Sequence, residues 1–496
     1  MNQTKKSTAH HYAIVGGGLA GLATAYQLLR EQPDAKVVVY EAGGEQSYTK
    51  GQDDSGRASL GASSARVIRY TGASDDLDQW LVRKTGGMLR ELQKGGAETL
   101  FYPEAAVTVA RDPKSTKYTE TIDSLKRAGA DYSELRGSDL KQRFPGLYRA
   151  IPDDAYAVVE EPAAARREVS GVMDTEAVLA ALRRTIISRG GEIRYDSNVQ
   201  AVKSLGGKAV VTTPEGHGVY SKAIIAPGAK LGTLIDEQRF GIQRITERVA
   251  VMDIDLRAAG VNVKTVPFSR GDVPKGAEGS LYSASANSAD GRVKFLPKIL
   301  QKIMPLEELQ RPLSEEEKNQ ALAAAGARLN MQPEALRPYV RWSSCVYTLP
   351  AKGENPLVAE IEPGIIVNAL DSSSSARRVG GLGKIAAAMA LGLKEPFKDS
   401  YDRFSLAAHH RVLAGKSANA KEARQEMREA NPGLIARMWH GLLTLVGFEK
   451  KQSLPEMATA PESVTALPEA LPQMQESSLR FTDRLRSEQT DPGIRR

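Results

Sequence analysis

The chain of 496 residues holds one cysteine, Cys345. A single thiol excludes an internal disulfide framework and a metal cluster built from cysteines. No apolar run approaches the ~20 residues that span a bilayer. The opening MNQTKKSTAHH lacks the apolar stretch of a secretion signal. A cytoplasmic protein is expected. There is no internal repeat. The net charge is +7, with a pI near 9.1, but Lys and Arg are scattered through the chain. They form no stripe with interleaved aromatics, so no nucleic-acid partner is expected. A mildly basic surface favours anionic substrates or membranes. Otherwise the composition is that of a globular protein, 41% hydrophobic and 26% charged, long enough for two or three domains.

What is there is concentrated in residues 12–41, YAIVGGGLAGLATAYQLLREQPDAKVVVYE. An apolar run over 12–15 reads as a buried strand. Gly16, Gly18 and Gly21 follow at G-x-G-x-x-G spacing, then Leu22, Ala25, Leu28 and Leu29 at helical spacing. A second apolar run, 37–40, ends in Glu41. Gly16 permits the tight turn, Gly18 lets a pyrophosphate approach the backbone, and Gly21 lets the helix sit close to the strand. The pyrophosphate would rest on the helix N-terminus, and Glu41 is placed to accept hydrogen bonds from a ribose. Strand, turn, helix, strand and acid together predict an adenine dinucleotide site.

Further along, residues 75–92 read as a helix with acids early and bases late, as the macrodipole prefers. Ser138 caps a short helix that stops before Pro145. Residues 174–189 form an amphipathic helix ended by Gly190-Gly191, and 209–213 with 219–220 suggest a hairpin across PEGHG. The apolar run 222–226 returns the chain to a parallel sheet, so the nucleotide domain is discontinuous. Segments 247–254, 280–284 and 293–295 suggest an antiparallel sheet. Ser314 with Glu317 makes a capping box. Residues 380–393 open with glycines and continue as a small-residue helix, a second candidate for cofactor contact. Residues 434–448 carry an apolar helical face that either docks on the core or meets a membrane surface or partner. From Ser453 the chain is rich in Pro, Glu, Ser and Gln, and disorder is expected.

At Cys345 a pattern emerges: CVYT, then LVAE, a strand, and VGGLGK. With ASSARVIR, VMDTEAVLAALRRTIISRGGEI, AIIAPGAKLG and the N-terminal unit, it resembles the flavin-dependent amine oxidases of the D-amino acid oxidase superfamily. Within them it resembles the monomeric sarcosine oxidase and N-methyltryptophan oxidase group, over residues 12–412. The resemblance implies an α/β chain, α+β overall, with a Rossmann-like FAD-binding domain in three parts (8–72, 161–235, 343–412). An antiparallel-sheet substrate domain (73–160, 236–342) is inserted in it, and a helical extension (413–450) and tail (451–496) follow. It implies FAD, with Gly16, Gly18, Gly21, Glu41, Val199, Gly228, Gly381 and Gly383 at the cofactor and no metal.

In that group a cysteine at the place of Cys345 joins the flavin by a thioether; the alternative is a small core residue. The resemblance also implies catalytic roles for Lys294, Arg66 and Tyr347, with Lys294 activating oxygen and Arg66 beside the flavin, one helical turn from Arg69. Arg69, Arg377 and Tyr347 would bind the substrate. The chain departs from the group in having Arg377 for a lysine, Ser374 and Lys298 for two histidines, and LDSSSSARR for a glycine-rich aromatic stretch. Cofactor features therefore survive better than substrate features. The implied activity is oxidation of a secondary amine or amino acid to an imine, with O2 reduced to H2O2, in a monomer. The alternatives are a dehydrogenase passing electrons to a quinone or partner protein, and a non-catalytic flavoprotein.

Overall fold

β1 (His11–Val15) reads HYAIV and is buried at every position after His11. A strand apolar on both faces belongs inside a parallel sheet, and β1 stands there. β2 (Lys36–Tyr40) pairs with it in parallel on one side and strand Lys222–Ile225 on the other. Beyond β2 lies Glu192–Arg194, and beyond Lys222–Ile225 lies Ile365–Ala369, both parallel. Leu357–Glu362 closes that edge antiparallel. The computed structural model describes residues 11–45, 65–162, 170–284, 291–309, 311–371 and 375–415. The expected helix over 434–448 and the expected disordered tail lie outside them, as does Ser374.

α1 (Leu19–Glu31) follows the glycine turn and buries Leu22, Leu28 and Leu29 almost completely. Burying each such side chain stabilises the fold by about 1.5–3 kcal/mol. β3 (Arg66–Ile68) joins Gly171–Met173 and Phe101–Pro103 in a small antiparallel sheet. α2 (Asp76–Lys94) is capped by Asp75, whose side chain accepts from the Asp78 N–H at 3.0 Å. Asp174 caps helix Thr175–Ser188 in the same way. The expected hairpin is formed by Lys208–Thr213 and Gly216–Tyr220. Ser138 is not a cap: that helix, Gly137–Arg143, begins one residue earlier, and the Asp139 carboxylate accepts from the Arg136 backbone N–H at 3.3 Å.

Helix Ser375–Ala390 packs across α1 and α2. A Cβ on Gly383 would lie 2.9 Å from the Ala23 backbone, and one on Gly381 would lie 2.6 Å from Leu81 Cα. These two glycines, expected at the cofactor, permit close helix crossings instead, and neither lines the cavity described below.

The second large sheet has nine strands and is mostly antiparallel. Its longest pairing sets Arg244–Asp255 against Val340–Pro350, with Val249 opposite Cys345 and Glu247 opposite Tyr347. The strand carrying Cys345 thus belongs wholly to this sheet, so the expected boundary between 342 and 343 falls inside one strand. Helix Glu315–Leu329 rests on this sheet and opens with the Ser314–Glu317 capping box. Among the described residues no helix is long and apolar enough to cross a membrane.

Candidate active site

A cavity of about 750 Å³ runs from the glycine turn to the nine-stranded sheet. At its first end the walls are backbone. Gly16 has φ of +109°, and a Cβ there would meet the Ala226 carbonyl oxygen at 2.3 Å. Gly21 lets α1 sit on this turn: its Cβ would stand 1.9 Å from the Gly16 oxygen. Gly18 is open, with nothing within 4 Å of the Cβ position, and it faces the cavity. Gly18 is also the N-cap of α1, and no side chain caps that end. The first N–H groups and the dipole of α1 are therefore available to an anion. Glu41 directly follows β2 and lines the cavity, accepting from the Gly17 and Gly43 N–H groups at 2.7 and 2.8 Å. It braces the turn from within while facing the place expected for a ribose. Val199 and Gly228 line the same end. Gly21 does not, which fits its packing role. Donors at a bare helix N-terminus, an open glycine and an accepting carboxylate are what an FAD adenosine diphosphate moiety needs.

The other end is built from side chains. Antiparallel pairing sets Tyr282 beside Lys294. Lys294 is 2% exposed, with Nζ 3.5 Å from the Ala65 carbonyl and 5.3 Å from the Tyr282 ring centre. Burial, then the charge of Arg66, push its ammonium well below the ordinary lysine value. Burial works against the Arg66 guanidinium too, yet Tyr282, Cys345 and Tyr347 around it hold it above its usual value. Burial pushes the Tyr282 hydroxyl up to about 12. Cys345 is buried, and its thiol is pushed up by desolvation against the pull of Arg66 and Lys294. Arg66 is thus the fixed cation of this cluster, with Lys294 buried beside it. Arg66, Tyr282 and Tyr347 line the cavity; Lys294 and Cys345 stand just behind them.

Arg69 lies beyond the end of β3, so it is not one helical turn from Arg66, although both line the cavity. Its guanidinium carbon sits 4.3 Å from the centre of the Phe268 ring, and Nη1 is buried without a hydrogen-bond partner. Burial, then Arg270 and Arg377, push it well below the usual arginine value. Arg377 also lines the cavity and donates to the carbonyls of Thr71 at 3.1 Å and Gly72 at 2.9 Å. Burial, then Arg378, lower it to about 10. Lys298 is exposed at the start of the turn Lys298–Leu300 and does not line the cavity. Sequence reasoning missed Tyr282 and Arg270. The available signal was strand alternation, since Phe268 and Arg270 share one face of Phe268–Gly271.

Residues 11–389 match a protein-family profile described as FAD dependent oxidoreductase. No curated protein matches the chain. The fold is similar to that of NikD, described as an unusual amino acid oxidase essential for nikkomycin biosynthesis. Identity is 18% over 79% of this chain and 96% of that one, with a TM-score of 0.61. It is similar to L-proline dehydrogenase from P. horikoshii at 14% identity over 82% and 99%, TM-score 0.61. Glycine oxidase from Geobacillus kaustophilus matches at 17% identity over 80% and 99%, TM-score 0.59. At these identities the likeness is one of fold.

Proposed function

Because the chain belongs to the FAD-dependent oxidoreductase family, we propose that its cavity oxidises the C–N bond of a carboxylated secondary amine or amino acid. The observation that carries this reading is Arg69: a cationic side chain with a buried, unpartnered Nη1, in the same cavity as the glycine cradle. A planar guanidinium suits bidentate binding of a carboxylate, and Arg377 stands beside it as the second anchor. The solved structures of similar fold, two amino acid oxidases and a proline dehydrogenase, support the same class of substrate.

FAD, when bound, supplies the two-electron redox chemistry. The backbone at Gly16 and Gly18 and the N-terminus of α1 would hold its pyrophosphate and Glu41 its ribose, with Val199 and Gly228 completing that wall. Cys345 provides the covalent tether. Arg69 and Arg377 fix the substrate carboxylate, and Tyr347 and Tyr282 exclude water and set the amine's position. The substrate enters as the neutral amine, so no protein base is required. It loses two electrons and two protons to become an imine, which water hydrolyses to a carbonyl compound and an amine, or ammonia when the nitrogen carries no alkyl group. With O2 as acceptor, those electrons and protons leave as H2O2. Arg66 provides positive charge where negative charge develops on oxygen, which is electrostatic stabilisation, with the Lys294 amine behind it as a hydrogen-bond donor.

The test begins with acid precipitation of the purified yellow protein. Colour retained in the pellet, and released in Cys345→Ala, establishes the tether. Anaerobic mixing with carboxylated amines follows: bleaching establishes oxidation, and its absence with every amine points to a non-catalytic flavoprotein. On admitting air, one H2O2 per imine establishes the oxidase. Slow reoxidation that a quinone accelerates establishes a dehydrogenase.

A further inference from the structure

Glu160 ends strand Tyr156–Glu160 and is 1% exposed. It stands opposite Ala106, and Ala106 stands opposite Phe268, so these three side chains share the sheet face that borders the cavity. A buried carboxylate is costly unless its oxygens are satisfied. One short piece of chain satisfies those of Glu160. Oε1 accepts from the Tyr70 N–H at 2.8 Å. Oε2 accepts from the Thr71 N–H at 2.9 Å and from the Thr71 hydroxyl. All three donors belong to the two residues that follow Arg69.

Residues 70–73 form a tight turn. The Ala73 N–H donates to the Tyr70 carbonyl at 2.7 Å, and Gly72, with φ of +82°, takes the glycine position of a type II turn. Arg69 leads into this turn. Arg377 holds its other side, donating to the Thr71 and Gly72 carbonyls at 3.1 and 2.9 Å. A Cβ on residue 72 would lie 3.3 Å from Arg69 Nη1 and 3.5 Å from Arg377 Nη1, so both guanidinium groups rest against the turn. Ser124 Oγ, 2.9 Å from the Tyr70 carbonyl and 2.8 Å from that of Ala73, braces it from helix Thr116–Ala128. One carboxylate behind the turn thus fixes the piece of backbone to which both cavity-lining arginines are tied.

We propose that Glu160 is a positioning residue: it fixes the turn 70–73 and so sets Arg69 and Arg377 at the spacing that grips one substrate carboxylate. This rests on the carboxylate-anchoring reading above and adds to it the group that aligns the anchors. Two effects of Glu160 oppose each other. As an anion it favours the charged form of Arg69 but repels a carboxylate held there. As acceptor of three hydrogen bonds it keeps the anchors aligned, and a planar, bidentate grip requires positions held within about 0.5 Å. Alignment is therefore the larger effect.

The test uses the FAD-loaded, full-length protein and isothermal titration calorimetry with propionate. Glu160→Gln keeps the size of the side chain but turns one oxygen into an amide donor that meets a backbone N–H. Propionate should bind about ten-fold more weakly. Glu160→Asp, with both oxygens on a shorter stem, should recover part. Unchanged or tighter binding in a folded Glu160→Gln protein overturns the proposal and leaves Glu160 as a counter-charge alone. Thr71→Val deletes only the hydroxyl donor and puts no donor against the backbone; a loss of about three-fold supports the proposal and none overturns it. Asp174→Ala removes the cap of helix Thr175–Ser188 and lowers the unfolding temperature away from the turn. Its propionate affinity should equal that of the wild-type protein; a loss as large as that of Glu160→Gln would make the effect one of stability and overturn the proposal. In turnover, Glu160→Gln should lower kcat/KM for sarcosine and spare dimethylamine, which has no carboxylate; equal losses on both overturn the proposal, as does a wild-type protein that binds no propionate. The expected propionate series with no amine oxidised keeps the positioning role and removes the amine oxidase. Oxidation of sarcosine by the wild-type protein, with propionate affinity unchanged in Glu160→Gln, does the reverse.

Discussion

The two ends of the cavity are built by different means. The dinucleotide end is backbone: a turn, an open glycine and a bare helix N-terminus, all within residues 11–43. The substrate end is side chains drawn from residues 66–69, 268–282, 294, 345–347 and 377, which no short stretch of chain contains. A site made of backbone tolerates no added atom but needs few particular side chains. A site made of side chains depends on each charge and its neighbours, and the fold survives their loss. Substitutions at the two ends should therefore fail differently.

The largest effect is expected at the dinucleotide end. A Cβ on Gly21 would stand 1.9 Å from the Gly16 carbonyl oxygen, and backbone on both sides leaves little room to yield. Gly21→Ala should destabilise the protein by about 3 kcal/mol, the upper range for overpacking, and lose FAD. Thermal unfolding and the visible spectrum measure both. A Gly21→Ala protein carrying a full complement of FAD would break the comparison.

At the other end the fold should hold while activity falls. Arg69→Gln should reduce kcat/KM for a carboxylated amine by about ten- to a hundred-fold, the worth of one hydrogen-bonded charge. Arg69→Lys should recover only part, because an ammonium cannot make the planar bidentate contact. FAD content should be unchanged in both. The unfolding temperature should not fall, since burial, then Arg270 and Arg377, already push the Arg69 charge up in energy. Loss of FAD in Arg69→Gln would show that the ends are not independent.

The same division explains what was legible in the sequence. The β1–α1–β2 unit was read in detail because its determinants are contiguous and each glycine has one physical reason. The strand 222–226, the helices over 75–92 and 174–189 and the Ser314–Glu317 capping box were legible for the same reason. Gly381 and Gly383 were misassigned because a glycine-led helix looks alike whether its glycines face a phosphate or another helix; only the crossing with Ala23 and Leu81 decides. Arg66 and Arg69 were read as one helical turn apart, because three-residue spacing carries no mark of the strand end between them. Tyr282 and Arg270 were not found at all. Their places depend on the register of Gly279–Ser283 against Arg292–Pro297 and of Phe268–Gly271 against Ala106–Ala110, which no local pattern encodes.

The smallest expected effect lies where the two halves join. Helix Leu406–Leu413 packs through Leu406 against the core of the parallel sheet. From it, His409 Nε2 accepts the backbone N–H of Gln243, next to strand Arg244–Asp255 of the other sheet, at 3.1 Å. An imidazolium cannot accept that bond, so the joint requires the neutral ring. Burial, and secondly His410, lower the pKa from 6.5 to about 4. A folded value below the unfolded one means that the unfolded chain binds the extra proton between those pH values. The stability the neutral ring contributes is therefore complete above pH 6.5, declines as the pH falls, and is gone near pH 4. Part of the ring's surroundings is solvent, so the full shift is discounted to about 2 kcal/mol. Urea unfolding of the wild-type protein and of His409→Gln, whose amide oxygen can accept the same bond without titrating, isolates this contribution from the carboxylates. The wild-type protein should lose about 2 kcal/mol more than the variant between pH 7 and pH 4. Parallel losses would mean that the halves are joined by packing alone.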